Sequence, residues 1–163
     1  MSLRDVEGFV NTLEVEDGND HLEPWLEGRG VRATREALAR AAGVREAIRV
    51  HLLAHNGVDV ELEPATAVLA EASRRARLEL RLDGAPRLEP AAAGVDGVVG
   101  GLLAAIAAAA ADGTWTRLKA CRADDCRWAF YDGARNRSRS WCSMRVCGNR
   151  AKARRYRARR AEG

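Results

Sequence analysis

Several features that would settle the class of this chain at once are scarce or missing. Aromatic residues make up only 5% of its 163 residues, and there are three histidines and four prolines. No Gly-rich phosphate loop, G-x-S-x-G elbow or H-E-x-x-H pair occurs, so no motif supports an enzyme. The first ten residues carry Asp5 and Glu7 and no apolar core, which argues against a secretory signal. The most apolar stretch, Val98 to Ala111, is Ala-rich and only 14 residues long; it reads as a buried helix, too short for a bilayer. No internal repeat is visible. A cytoplasmic protein without membrane contact is expected.

What is present is alanine, arginine and four cysteines. Alanine occurs 31 times and lysine twice against 25 arginines, a bias we read as that of a GC-rich bacterial genome. Apolar residues at 47% and charged residues at 31% give a globular composition. The net charge of +4 conceals a split. From Arg117 onward there are 15 basic and 4 acidic residues, a net of +11; the first 116 residues carry 12 and 19, a net of −7. Such asymmetry points to nucleic acid or another anionic surface at the basic end, or to a solvated tail.

Periodicity divides the chain at Thr114–Thr116. Residues 1–115 form an acidic, α-rich domain. Helical spacing runs over Asp5–Glu16, and Leu22–Glu27 is a short helix. Thr34 is an N-cap for Arg35–Ala42, Gly43 interrupts, and Val44–His55 continues to Asn56-Gly57. Pro64–Arg75 follows with Ala67, Val68, Leu69 and Ala72 inward. Leu78, Leu80 and Leu82 alternate as a half-buried strand, with a return strand near Leu88. Val95–Ala111 is an Ala-rich helix. Residues 116–163 have few apolar groups and need a staple, because burial alone cannot offset the chain entropy of so small a module.

All four cysteines lie there: Cys121, Cys126, Cys142 and Cys147. Two C-x4-C pairs separated by a hairpin-length insert make a structural zinc layout. Four thiolates close the shell of one Zn²⁺ and leave no open position. An iron–sulfur cluster and two disulfides are the alternatives. The insert alternates through Trp128, Phe130 and Tyr131, taken as module core, and then enters a polar loop with Arg135, Arg137 and Arg139. After Cys147 comes a helix with no acid before Glu162: Asn149, Arg150, Lys152, Arg154, Arg155, Arg157, Arg159 and Arg160. Counting the zinc centre as −2, the module stays near +9. Its charges would repel one another without phosphates. Only Asn136 and Asn149 are uncharged candidates for reading bases, so phosphate contact is the expectation, with DNA or RNA as partner. The fold class is α+β, mainly α: a helical domain with one hairpin, plus a treble-clef or zinc-ribbon-like four-cysteine finger ending in a basic helix.

Trp141-Cys142-Ser143-Met144 followed by Cys147-Gly148-Asn149-Arg150 and the basic tail resembles the CGNR zinc-finger family. Phe9 to Leu13, Trp25-Leu26 and Arg45 to Ile48 resemble the ABATE domain that precedes it. The resemblance implies a bacterial stress-responsive transcription regulator, with a finger that binds DNA and an N-terminal domain that binds a ligand or partner. Ala134 and Ser140 depart from the family pattern, which expects a Ser and a second Arg; the metal ligands are unaffected. For a ligand, the polar candidates are Asn11, Thr12 and Arg45; Arg45 otherwise pairs with an acid such as Glu14 or Glu16, or snorkels outward. His51 and His55 read as a solvated helix face. A homodimer is expected, from palindromic recognition and the Ala-rich helix. An acidic protein partner for the finger is the competing role.

Overall fold

The computed structural model describes residues 1–161. Its elements, in chain order, are α1 (Leu3–Val10), β1 (Leu13–Glu14), β2 (Asn19–Asp20), α2 (Leu22–Glu27), α3 (Arg35–His55), α4 (Glu63–Ala76), β3 (Leu78–Arg81), β4 (Arg87–Pro90), α5 (Gly94–Ala111), β5 (Leu118–Ala120), β6 (Ala129–Tyr131) and α6 (Asn149–Ala161). The strands pair consecutively into three antiparallel hairpins. The chain is therefore mainly helical with small hairpins, as the sequence suggested, with β1–β2 an addition.

Local chemistry explains where the boundaries moved. α1 stops at Val10, short of Glu16, because Asn11 and Thr12 bond elsewhere. Thr12 Oγ1 donates back to the Phe9 carbonyl at 2.8 Å, and the Asn11 side chain pairs with Ala129. Such side-chain bonds compete with helix continuation. α3 runs unbroken for 21 residues through Gly43. Thr34 caps it by accepting from the Ala37 N–H at 3.2 Å. Gly43 costs about 1 kcal/mol against alanine, which Ala41, Ala42 and the remaining turns outweigh.

The core gathers Val6, Phe9 and Val10 of α1, Ile48 and Leu52 of α3, and Val99 and Leu102 of α5. α4 turns Ala65, Leu69, Ala72 and Ala76 inward, the i, i+4, i+7 row; Ala67 and Val68 face out, contrary to expectation. Gly100 lets α5 touch its neighbours: a Cβ there would lie 2.6 Å from the Ala76 methyl and 2.7 Å from Pro90. The hairpin β3–β4 forms in the register Leu78↔Pro90 and Leu80↔Leu88. Only Leu78 of its leucine row is covered; Leu80 and Leu82 are 62% and 68% exposed. Opposite Leu80, α5 offers only Gly101 and alanines, which are too short to fill the gap. α5 is 18 residues long, enough by length and composition for a bilayer span, and here it packs on the core through Val95, Val99, Leu102 and Leu103.

The same core receives one face of the β5–β6 hairpin. Leu118, Ala120 and Ala129 are buried in it beside Ile48 and Leu52. The connection from α5 is packed as well. Trp115 sets its edge on the His55 ring, with centroids 4.9 Å apart at 86°.

Candidate metal centre

The first cysteine pair lies on the turn between β5 and β6, and the second precedes α6. Backbone N–H groups of Ala123 and Cys142 point at Cys121 Sγ, and that of Trp128 at Cys126 Sγ. Arg127 adopts a left-handed backbone (φ 52°) to turn this knuckle. The second pair is shaped by one turn of π-helix, Met144–Gly148, in which the Gly148 N–H reaches the Ser143 carbonyl at 3.1 Å. That five-residue turn suits the four-residue spacer between Cys142 and Cys147.

All four sulfurs lie within 4.8 Å of one another. Cys126 to Cys142 is 3.6 Å, and Cys142 to Cys147 is 3.7 Å. A tetrahedron with Zn–S bonds of about 2.3 Å has edges of about 3.8 Å. A disulfide needs about 2 Å, and all four cysteines are free. The set is enclosed by Ala123, Phe130 and Trp141, so the shell is dry on one side. The thiols are interdependent. A hydrogen bond from Cys126 brings Cys121 down to about 5, whereas burial pushes Cys147 up to about 12. A dication at the centre favours four thiolates and drives the remaining protons off. The donor set fits one structural Zn²⁺ with a closed shell.

Two residues unnoticed in the sequence shape the loop beyond β6. The Lys119 Nζ donates to Asp132 Oδ2 at 2.8 Å, to the Arg137 carbonyl at 2.6 Å and to the Arg139 carbonyl at 3.3 Å. Asp132 also accepts from the N–H groups of Ala134 and Arg139. Both partners are buried, with Asp132 at 0% exposure. Burial by itself would raise the Asp132 pKa; the ammonium and the two N–H groups outweigh it and hold the carboxyl below its usual range. Lysine at a strand position next to a cysteine carries no local signal for this role; only the hairpin register Lys119↔Phe130 turns it toward the loop.

The N-terminal helices grip the finger's backbone. Asn11 donates to the Ala129 carbonyl at 2.9 Å and accepts from its N–H at 2.7 Å. Arg49 joins the Arg127 and Val10 carbonyls. Asn56, taken only as a helix stop, donates to the Ala120 and Ser140 carbonyls. His55 Nδ1–H donates to the Leu118 carbonyl at 2.9 Å, and burial lowers its pKa. His55 is thus drawn inward rather than solvated, whereas half-buried His51 makes an exposed contact, its Nε2 lying 3.4 Å from Thr66 Oγ1.

The three ligand candidates are engaged within the chain. Arg45 is 3% exposed and bonds Asp20 at 2.7 and 2.9 Å, Thr12 at 3.0 Å and Glu46 at 2.9 Å. Arg45 thus pairs with acids, as expected, but with Asp20 and Glu46 rather than Glu14 or Glu16. Of the cationic candidates, Arg139 lies over Phe130 and bonds the Tyr131 and Cys142 carbonyls. Arg150 holds Glu16 at 2.8 Å and Asp125 at 3.3 Å, and Arg154 is 3.6 Å from Asp125. Asn149 donates to the Arg145 carbonyl, and Arg160 sits over Tyr156. Arg135, Arg137, Lys152, Arg155, Arg157 and Arg159 point into solvent. Trp128 and Tyr131 are 36% and 39% exposed rather than module core; Phe130 alone of the three is buried.

Residues 117–160 match the family model of the CGNR zinc finger. That span contains the four cysteines, the arginine loop and α6 to Arg160. No curated protein matches the chain. The C-terminal segment is thus a CGNR zinc-finger module with a four-cysteine metal site.

Proposed function

We propose that the chain is a bacterial, cytoplasmic transcription regulator that binds DNA through this finger. The N-terminal segment, with its ABATE-like pieces, senses a ligand or joins two copies. One observation carries the reading. From Lys152 to Arg160 every residue of α6 is exposed, and six of the nine are cations with no acid among them. The helix is 13 residues long, about 20 Å, and only its root is held, by Ala151 and by the acids around Arg150. A cationic rod on a rigid, metal-set base suits the phosphates that flank a major groove about 12 Å wide. The reading assigns no catalysis, since a closed four-sulfur shell leaves no position for substrate. A stress response is the physiological setting carried over from the resemblance.

Fluorescence anisotropy with duplex DNA across a salt series tests it. Affinity should fall steeply with salt, and Arg155→Ala with Arg157→Ala should weaken binding on every sequence alike. No affinity at low salt would defeat the reading. RNA is the second reading, favoured by exposed Tyr156, Tyr131 and Trp128 among the arginines, since unpaired bases stack on such rings. Single-stranded RNA that outcompetes duplex DNA would establish it. A pull-down of an acidic protein that survives nuclease, without DNA affinity, would favour the protein-docking role.

A further inference from the structure

We propose that the crevice between α3, α4 and α5 is a binding site for an uncharged, apolar small molecule of about two fused rings. This rests on the sensing half of the proposed function and deepens it; it is independent of how the finger meets nucleic acid. The crevice encloses about 430 Å³. That lies within the range of ligand pockets, roughly 300–1,000 Å³. Its walls are Val44 of α3, Val68 and Ala72 of α4, and Val95 and Val99 of α5.

Gly43 is the second observation. Alanine is this chain's default helix residue, yet the middle of its longest helix carries a glycine. Gly100 is buried and marks a close approach; Gly43 differs, being exposed at the mouth of the crevice. At Gly43 a Cβ would meet nothing within 4 Å, and the position lines the crevice. No neighbour in the protein requires the glycine. Its effect is to widen the opening at a cost in helix propensity. Val68 adds to this: it is 41% exposed on the same wall, an aliphatic side chain turned away from the core.

The rim decides the ligand's charge. Arg75 Nε pairs with Glu71 at 3.2 Å, and Arg40 faces Asp96 across the opening at 3.9 Å. The lining sets two cations against two carboxylates, Glu71 being shared with Arg74 just outside it at 2.8 Å, so a charged ligand would gain one attraction and meet one repulsion. The lining contributes apolar contact and no uncompensated charge. Binding would follow apolar area, and burial of a two-ring body is sufficient for affinity.

The full zinc-loaded chain can be titrated with two dyes of one ring skeleton: uncharged N-phenyl-1-naphthylamine and its anionic sulfonate, 1-anilinonaphthalene-8-sulfonate. The expected result is saturable one-to-one binding of the uncharged dye, at least as tight as that of the sulfonate. Gly43→Ala should keep binding, because a methyl still leaves room. Gly43→Leu puts a bulky side chain at the mouth of the crevice and should weaken binding about tenfold or more, equivalent to about 1.4 kcal/mol. Val68→Glu, at an exposed position, should do the same by charging the wall. Leu80→Glu controls for the larger groove of about 550 Å³ between the β3–β4 hairpin and α5, and should change nothing. The inference is overturned if the uncharged dye does not bind, if Gly43→Leu and Val68→Glu bind as wild type, if Leu80→Glu abolishes binding, or if the sulfonate binds much tighter. DNA anisotropy of Gly43→Leu should match wild type, so loss of the dye site and failure of the nucleic-acid reading give separate signals.

Discussion

Arg127 turns the first cysteine knuckle with a left-handed backbone that an L side chain adopts at a cost of about 1–2 kcal/mol. Its side chain recovers little: one guanidinium nitrogen is buried without a partner, and Asp124, its ion-pair partner, is 91% exposed. Arg127→Gly keeps the carbonyl that Arg49 needs and removes the strain. We expect a gain of about 0.5 kcal/mol after glycine's own entropy cost. Arg127→Ala should lose stability, since it keeps the strain and drops the pair. Denaturant melts of the zinc-loaded variants should therefore rank Gly above Arg above Ala. Asp20 is a second single-residue case. Hydrogen bonds from Arg45 hold its carboxyl below the usual range. Its folded pKa is lower than the unfolded one, so its contribution is complete above about pH 4 and fades as pH falls through the folded value. Asp20→Asn should cost about 1–2 kcal/mol near pH 7 by leaving buried Arg45 underpaired. The gap between variant and wild type should narrow as pH falls below about 4 and close once the folded-state carboxyl is protonated, read by melts at stepped pH.

Among the elements, the arginine loop depends on a pair that lies outside it. Lys119 uses all three donors within the protein, and Asp132 is fully buried. Lys119→Met strands that carboxylate, and we expect a loss of about 3–5 kcal/mol with increased amide exchange at Arg137 and Arg139. An unchanged exchange pattern would show that the loop holds itself. This pair also shows where the sequence stops being legible. Caps, spacers and cysteine spacing are local, so Thr34, α2 and the metal ligands could be read directly. The destinations of Asn11, Arg49, Asn56 and Lys119 are set by contacts 13 to 118 residues away, and nothing adjacent encodes them. The leucine alternation in β3 was legible as a strand, but not its exposure, because burial depended on how short the side chains of α5 are. Gly43 misled in the same way: a local breaker was overruled by the 21-residue helix around it.

At the scale of the whole molecule, the finger and the helical part share a core, and this changes what metal removal should do. Structural zinc contributes about 10–16 kcal/mol to small fingers. Here Leu118, Ala120 and Ala129 are core residues, and His55 and Asn56 end α3 on the finger's backbone. Chelation should therefore loosen the last two turns of α3 as well as residues 117–160. Hydrogen exchange before and after chelation checks this; full protection of His51–Asn56 without metal would refute it. The division of charge has a consequence as well. The acidic part does not face the cationic helix at large. It reaches the root of α6 through Glu16, while Lys152, Arg155, Arg157 and Arg159 are left to solvent. An arginine already neutralised by Glu16 and Asp125 displaces few counterions when it meets a phosphate. Arg155 displaces a full share, about 0.9 of a unit in the slope of log affinity against log salt. Arg155→Ala should thus flatten that slope by about one, and Arg150→Ala by clearly less. Glu16→Gln should raise low-salt affinity for any duplex and leave stability almost unchanged, because the pair is exposed. Equal slope changes for Arg150→Ala and Arg155→Ala would mean that α6 swings free of Glu16 on the nucleic acid. The root contact would then belong to the unbound protein alone.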